Sequence, residues 1–152
     1  MINFVATATM AIGLLAAAPK APEWETSYGK ALEETRAGQD PLLVVLDKPN
    51  SKEARIEPAL LSENKATTDS SKLLKPYRLC HVDVTTEYGQ KVAKAFNAKE
   101  FPHVAIIDKT GSMVIFKKTG EIDTAEWQKI LTNNKSVERP SSYCPNCQRN
   151  KL

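Results

Sequence analysis

Cys144 and Cys147, in the stretch Tyr143-Cys144-Pro145-Asn146-Cys147-Gln148, are separated by two residues. At that spacing two thiols can close a small disulfide or share a metal ion. In a redox role one thiol attacks as its thiolate, which the nearby Arg149 and Lys151 favour. In a metal role the pair is half of a closed four-ligand zinc site. The other two ligands then come from a second copy of the chain or from a partner, as in a zinc-linked dimer. In the third reading the pair is a tail disulfide, or two solvent-exposed thiols, with no catalytic task. Two cysteines with polar flanks leave all three readings open.

The remaining nucleophiles and bases are isolated. Cys80 lies in Arg78-Leu79-Cys80-His81-Val82-Asp83-Val84 and shares a strand face with Val82 and Val84, so a buried, inert thiol is expected. His81 follows it and points to the opposite face, so the two form no dyad. His81 and His103, the chain's two histidines, both fall in predicted strands and read as structural side chains. Ser51 would need a base within reach to act as a nucleophile. No pattern supplies one, and a helix-capping serine is expected there.

Composition limits the functional classes. The chain has 152 residues, 41% of them hydrophobic and 26% charged, enough for one domain with a core and too few for two comfortable ones. At the C-terminal end Lys135, Arg139, Arg149 and Lys151 oppose Glu138 alone, which accounts for the whole net charge of +3 and leaves a neutral body. A neutral body with a basic tail argues against a nucleic-acid partner, because phosphate neutralisation needs cations clustered on a folded face.

The ends stand apart from that body. Phe4 to Ala18 (FVATATMAIGLLAAA) is an uncharged apolar run of signal-peptide length, short for a membrane span. Residues 1–22 are therefore expected to be a signal peptide, or an N-terminal anchor, with a linker. The protein is then periplasmic or secreted, or else tethered to a membrane and facing outside the cytoplasm. Residues 134–152 read as an extended basic tail, and residues 23–133 as the domain.

Within the domain, helical spacing links Trp24, Tyr28, Ala31, Leu32 and Thr35 and ends at Gly38. A continuous apolar strand, Pro41 to Asp47, follows. Ser51 to Glu63 reads as a helix interrupted or kinked at Pro58, and Arg78 to Val84 as a strand. A helix is expected over Glu87 to Asn97 with Tyr88, Val92, Ala95 and Phe96 in a stripe. His103 to Asp108 and Ser112 to Lys118 are the strands of a hairpin. Asp123 and Glu126 make a capping box before Trp127, Ile130 and Leu131. The helices between the first three strands are expected to make parallel crossovers, and the last two strands to be antiparallel. The result is an α/β domain with a mixed central sheet and helices on both faces.

Read in order, these residues resemble the thioredoxin fold. Pro41 to Leu46 resembles the central strand that leads to the redox site, and Val82-Asp83-Val84 a common strand-end signature. Phe96-Asn97-Ala98 stands where the family often has Tyr-Gly-Val. Phe101-Pro102 matches the position of the family's cis-proline, and Gly120 a glycine that closes the last strand. The resemblance implies that the backbone before Pro102 faces the redox site and extended peptide substrates. It also implies a Cys-x-x-Cys at the start of the next helix. Here Ser51 and Ala54 occupy those places, and no sulfur occurs between Asp47 and Leu79. A hydroxyl neither exchanges with disulfides nor ionises near neutral pH, so disulfide oxidoreductase chemistry at that place is excluded. The expected function is protein or extended-peptide binding through Phe101, Pro102 and Ser51, by strand addition. Thiol–disulfide exchange by Cys144 and Cys147 is the alternative. No cofactor is expected apart from the zinc of the dimer reading.

Overall fold

The computed structural model describes residues 23–61 and 72–135. The central strands are β2 (Leu42–Asp47) and β4 (His103–Ile107), each buried along its whole length. They pair antiparallel, with Leu42 opposite Ile107 and Leu46 opposite His103. On the other side of β2 lies β3 (Arg78–Asp83), parallel and in register from Leu42↔Arg78 to Asp47↔Asp83. β5 (Val114–Thr119) pairs antiparallel with β4, with a register shift between Ile106 and Ile107. A two-residue strand β1 (Trp24–Glu25) runs parallel to β3 at the opposite edge. The sheet order is β1-β3-β2-β4-β5.

A strand alternates its side chains between faces, and β2 feeds two cores in this way. Leu43 and Val45 join Leu79, Val104 and Ile106 beneath Trp127, Ile130 and Leu131 of α4 (Thr124–Asn134) and Leu60 of α2 (Pro58–Leu61). Leu42, Val44 and Leu46 join Cys80, Val82 and Ala105 beneath Ala31 of α1 (Tyr28–Gly38) and Val92 and Ala93 of α3 (Glu87–Ala95). Helices therefore cover both faces of a mixed sheet.

Four local expectations are corrected. Trp24 belongs to β1 and not to a helix. Ser27 caps α1, its side chain accepting from the Lys30 N–H, and the helix begins at Tyr28. The stripe of α3 buries Gly89, Val92 and Ala93 and leaves Tyr88 and Ala95 exposed. The connection through α3 is not a parallel crossover. His103 enters the sheet opposite Leu46, at the end where β3 leaves it, so β4 runs back against β2. A helix between two strands gives parallel pairing only if the chain re-enters at the far end.

The fourth correction concerns the segment after β2. Residues 51–57 are not helical, and of the helix expected over Ser51 to Glu63 the described residues hold only α2. Pro58 is the physical reason. It offers no N–H to the Ala54 carbonyl and disfavours helical geometry at Glu57. The Ala54 carbonyl instead accepts from the Lys48 N–H at 2.9 Å, and Pro58 opens α2, where a missing N–H costs nothing.

Candidate functional site

Three segments meet at the end of the sheet where β2 and β3 finish: the loop after β2, the C-terminus of α3, and Phe101-Pro102 before β4. The loop is a closed turn. The Ser51 N–H donates to the Lys48 carbonyl at 2.9 Å, and the Ala54 N–H to the Ser51 carbonyl at 3.3 Å. Ser51 is half-buried in this turn and caps no helix. At the root of the loop, Asp47 is 1% exposed. Its Oδ2 accepts from the Ile56 N–H at 3.0 Å, and its Oδ1 lies 2.8 Å from His81 Nε2.

α3 is fixed at both ends. Thr86 caps its start, the hydroxyl accepting from the Gly89 N–H at 3.0 Å and donating to the Asp83 carbonyl at 2.8 Å. At its end Asn97 takes the left-handed conformation, φ 53°. The Asn97 N–H donates to the Lys94 carbonyl and the Ala98 N–H to the Ala93 carbonyl, closing a Schellman motif. The motif turns Lys94, Ala98 and Lys99 toward a single groove.

The peptide bond between Phe101 and Pro102 is cis. The Pro102 carbonyl accepts from the Gly120 N–H at 2.8 Å, while the Phe101 backbone makes no hydrogen bond among the described residues. The half-buried Phe101 ring packs on the core beneath α1 and α3, and Lys48 Nζ stands 5.5 Å above its centroid. Beside this ring opens a groove of about 430 Å³, with Val84, Ala93, Ala98 and Phe101 as its apolar lining and Lys48, Lys94 and Lys99 among its polar lining.

The residues singled out in the sequence thus part company. Phe101 lines the groove, Pro102 is the buried residue behind it, and Ser51 is not among its lining residues. Lys48, Lys94 and Lys99 were missed. The nearest signal to them in the sequence was the lysine spacing around Asn97-Ala98, which has no meaning until the turn is known.

Neither histidine serves Ser51. His81 is taken by Asp47 and by an edge contact to Trp24, with ring centroids 6.1 Å apart. His103 Nδ1 lies 2.8 Å from Thr119 Oγ1, and burial, with Lys117 nearby, lowers its pKa. Cys80 is a free, fully buried thiol whose pKa burial pushes up to about 12, which removes it from thiolate chemistry. Among the described residues no three His, Cys, Asp or Glu side chains gather as metal ligands. Cys144 and Cys147 lie outside the described residues, as does the run Phe4 to Ala18. No described helix is long and apolar enough to cross a membrane.

No family model matches the sequence, and no curated protein matches it. Solved structures do match. A thioredoxin from Thermus thermophilus superposes with a TM-score of 0.58 at 18% identity, over 74% of this chain and 86% of its own. The Malassezia sympodialis thioredoxin gives 0.57 at 13% identity, over 82% of this chain and 100% of its own. Oxidised thioredoxin O2 from Arabidopsis thaliana gives 0.54 at 11% identity, over 72% and 87%. At such identities the likeness is one of backbone, and it agrees with the strand order and pairing described above. The chain has the thioredoxin-like fold, without a cysteine pair among its described residues.

Proposed function

We propose that the protein is a binding module for other proteins, holding an extended polypeptide across the groove beside Phe101. The carrying observation is the unpaired Phe101 backbone next to an apolar floor. An extended segment can take up the free peptide groups of Phe101 as an added strand does, while one of its side chains fills the groove. Redox exchange is no part of this site, since Ser51 and Ala54 stand where thiols would be needed and Cys80 is buried.

Binding of an unfolded, S-alkylated polypeptide by the full chain tests the reading. Phe101→Ser should weaken that binding, and Cys144→Ser should leave it unchanged. Loss of binding in Cys144→Ser would move the function to the tail. Insulin reduction by the purified protein would do the same. Export to the periplasm or the cell exterior belongs to the same reading and rests on the run Phe4 to Ala18. N-terminal sequencing of protein recovered from its own compartment checks it.

A further inference from the structure

We infer that the groove beside Phe101 selects acidic polypeptide segments, with one apolar side chain on the floor and carboxylates at the rim. This rests on the polypeptide-holding reading above and adds the chemistry of the partner. Three side chains carry it: Lys48 from the loop after β2, Lys94 from the last turn of α3, and Lys99 from the segment that follows. All three are exposed, and none is in an ion pair among the described residues. No carboxylate lines the groove. Glu100 adjoins Lys99 in sequence without being part of the lining. What sets these three lysines apart is their convergence on one groove that has no carboxylate in its lining.

The floor separates a polypeptide from other anionic partners. Val84, Ala93 and Ala98 are aliphatic and recessed, suited to a Leu, Val or Met side chain, and Phe101 is the single aromatic ring in the lining, with Lys48 over its face, which is no stacking platform for a series of bases. Three cations neutralise few phosphates, whereas two or three rim carboxylates match them one for one. Potentials of this kind act mainly on selection and encounter, since each exposed pair contributes little to affinity.

Selection of a random displayed heptapeptide library by the full-length protein at low salt is the experiment. Asp and Glu should be enriched on either side of an apolar residue. The selected peptides should bind about tenfold more weakly at half-molar salt. The Lys48→Glu, Lys94→Glu, Lys99→Glu triple variant, altered at exposed positions only, should lose the acidic enrichment and favour Lys and Arg. Equal selection of uncharged apolar peptides by both proteins overturns the acidic preference and leaves the polypeptide reading standing. Absence of any enrichment by the unaltered protein overturns both. Displacement of the selected peptide by oligothymidylate at equal concentration overturns the choice of polypeptide over nucleic acid, and its failure to displace supports that choice.

Discussion

The carboxylate of Asp47 bridges two segments that the sequence keeps apart: Oδ1 lies 2.8 Å from His81 Nε2 on β3, and Oδ2 accepts the Ile56 N–H at 3.0 Å. One buried side chain therefore holds the loop that follows β2 against the neighbouring strand. Removing it leaves the buried Ile56 N–H unsatisfied and takes the carboxylate from the half-buried His81. Asp47→Ala should cost about 3 kcal/mol of unfolding free energy. Asp47→Asn keeps an acceptor for one partner and should cost less. Urea unfolding of the three proteins measures both, and equal stabilities would show that the bridge holds nothing.

Gly89 should not tolerate a side chain. A Cβ there would stand 1.9 Å from the Asp83 carbonyl oxygen and 2.8 Å from the Val84 Cα, both of them backbone atoms that no rotamer change can move. Gly89→Ala should raise α3 from the sheet and destabilise the fold by about 3 kcal/mol, despite alanine's better helix propensity. A gain in melting temperature would refute the close approach. Gly29 is also in a helix but has nothing within 4 Å of an added Cβ, so Gly29→Ala is the control. It should be neutral or slightly stabilising.

Acid should weaken the fold in two separate steps. Burial lowers the His103 pKa from its ordinary 6.5, so the unfolded chain takes up this proton first. Stability is then complete above about pH 6.5 and declines as the pH falls below it, because the unfolded state binds the extra proton. Hydrogen bonds from Thr85 lower the Asp83 pKa from its ordinary 3.8, and stability linked to that group declines only below that value. Unfolding free energies of the protein and of His103→Asn should differ in slope below about pH 6.5 and run parallel above it. Identical slopes would remove His103 from the first step.

Cys80 should behave as a core hydrophobe. With Cys144 and Cys147 changed to serine it is the sole thiol. Its pKa near 12 and full burial predict no alkylation by iodoacetamide at pH 8 in the folded protein, and complete reaction in denaturant. Modification at the rate of a free thiol would show that the core opens readily.

The central strands were legible because β2 is apolar from Leu42 to Leu46 and β4 from Val104 to Ile107, and a run buried on both faces can be read without knowing its partners. β1 was not. Two residues carry no period, and Trp24 fell by chance at helical spacing from Tyr28. The helix misread after β2 has a different cause. Ser51 to Glu63 has acceptable helix propensity, and an interruption at Pro58 was legible, but propensity does not show that residues 51–57 form no helix at all before it. Nor does it show that Lys48 and Asp47, both outside the segment, take the groups a helix would use. Phe101-Pro102 was found through its order in a familiar pattern. The three lysines could not be found that way, since Lys48 is joined to Lys94 and Lys99 only by the sheet that returns the chain to the same end.

The closed turn from Lys48 to Ala54 bears on any attempt to restore oxidoreductase chemistry here. Ser51→Cys with Ala54→Cys would place two sulfurs at Cys-x-x-Cys spacing without creating a reactive pair. In the working enzymes' design the first sulfur sits on the exposed amides of a helix start, whose dipole holds it ionised. Here the Ser51 amide is spent on the Lys48 carbonyl, and the Ala54 amide on Ser51. A cysteine grafted onto Ser51 would keep the acidity of an ordinary thiol, so two substitutions alone do not create an activated pair. A helix starting at Ser51 would require replacing Pro58 as well.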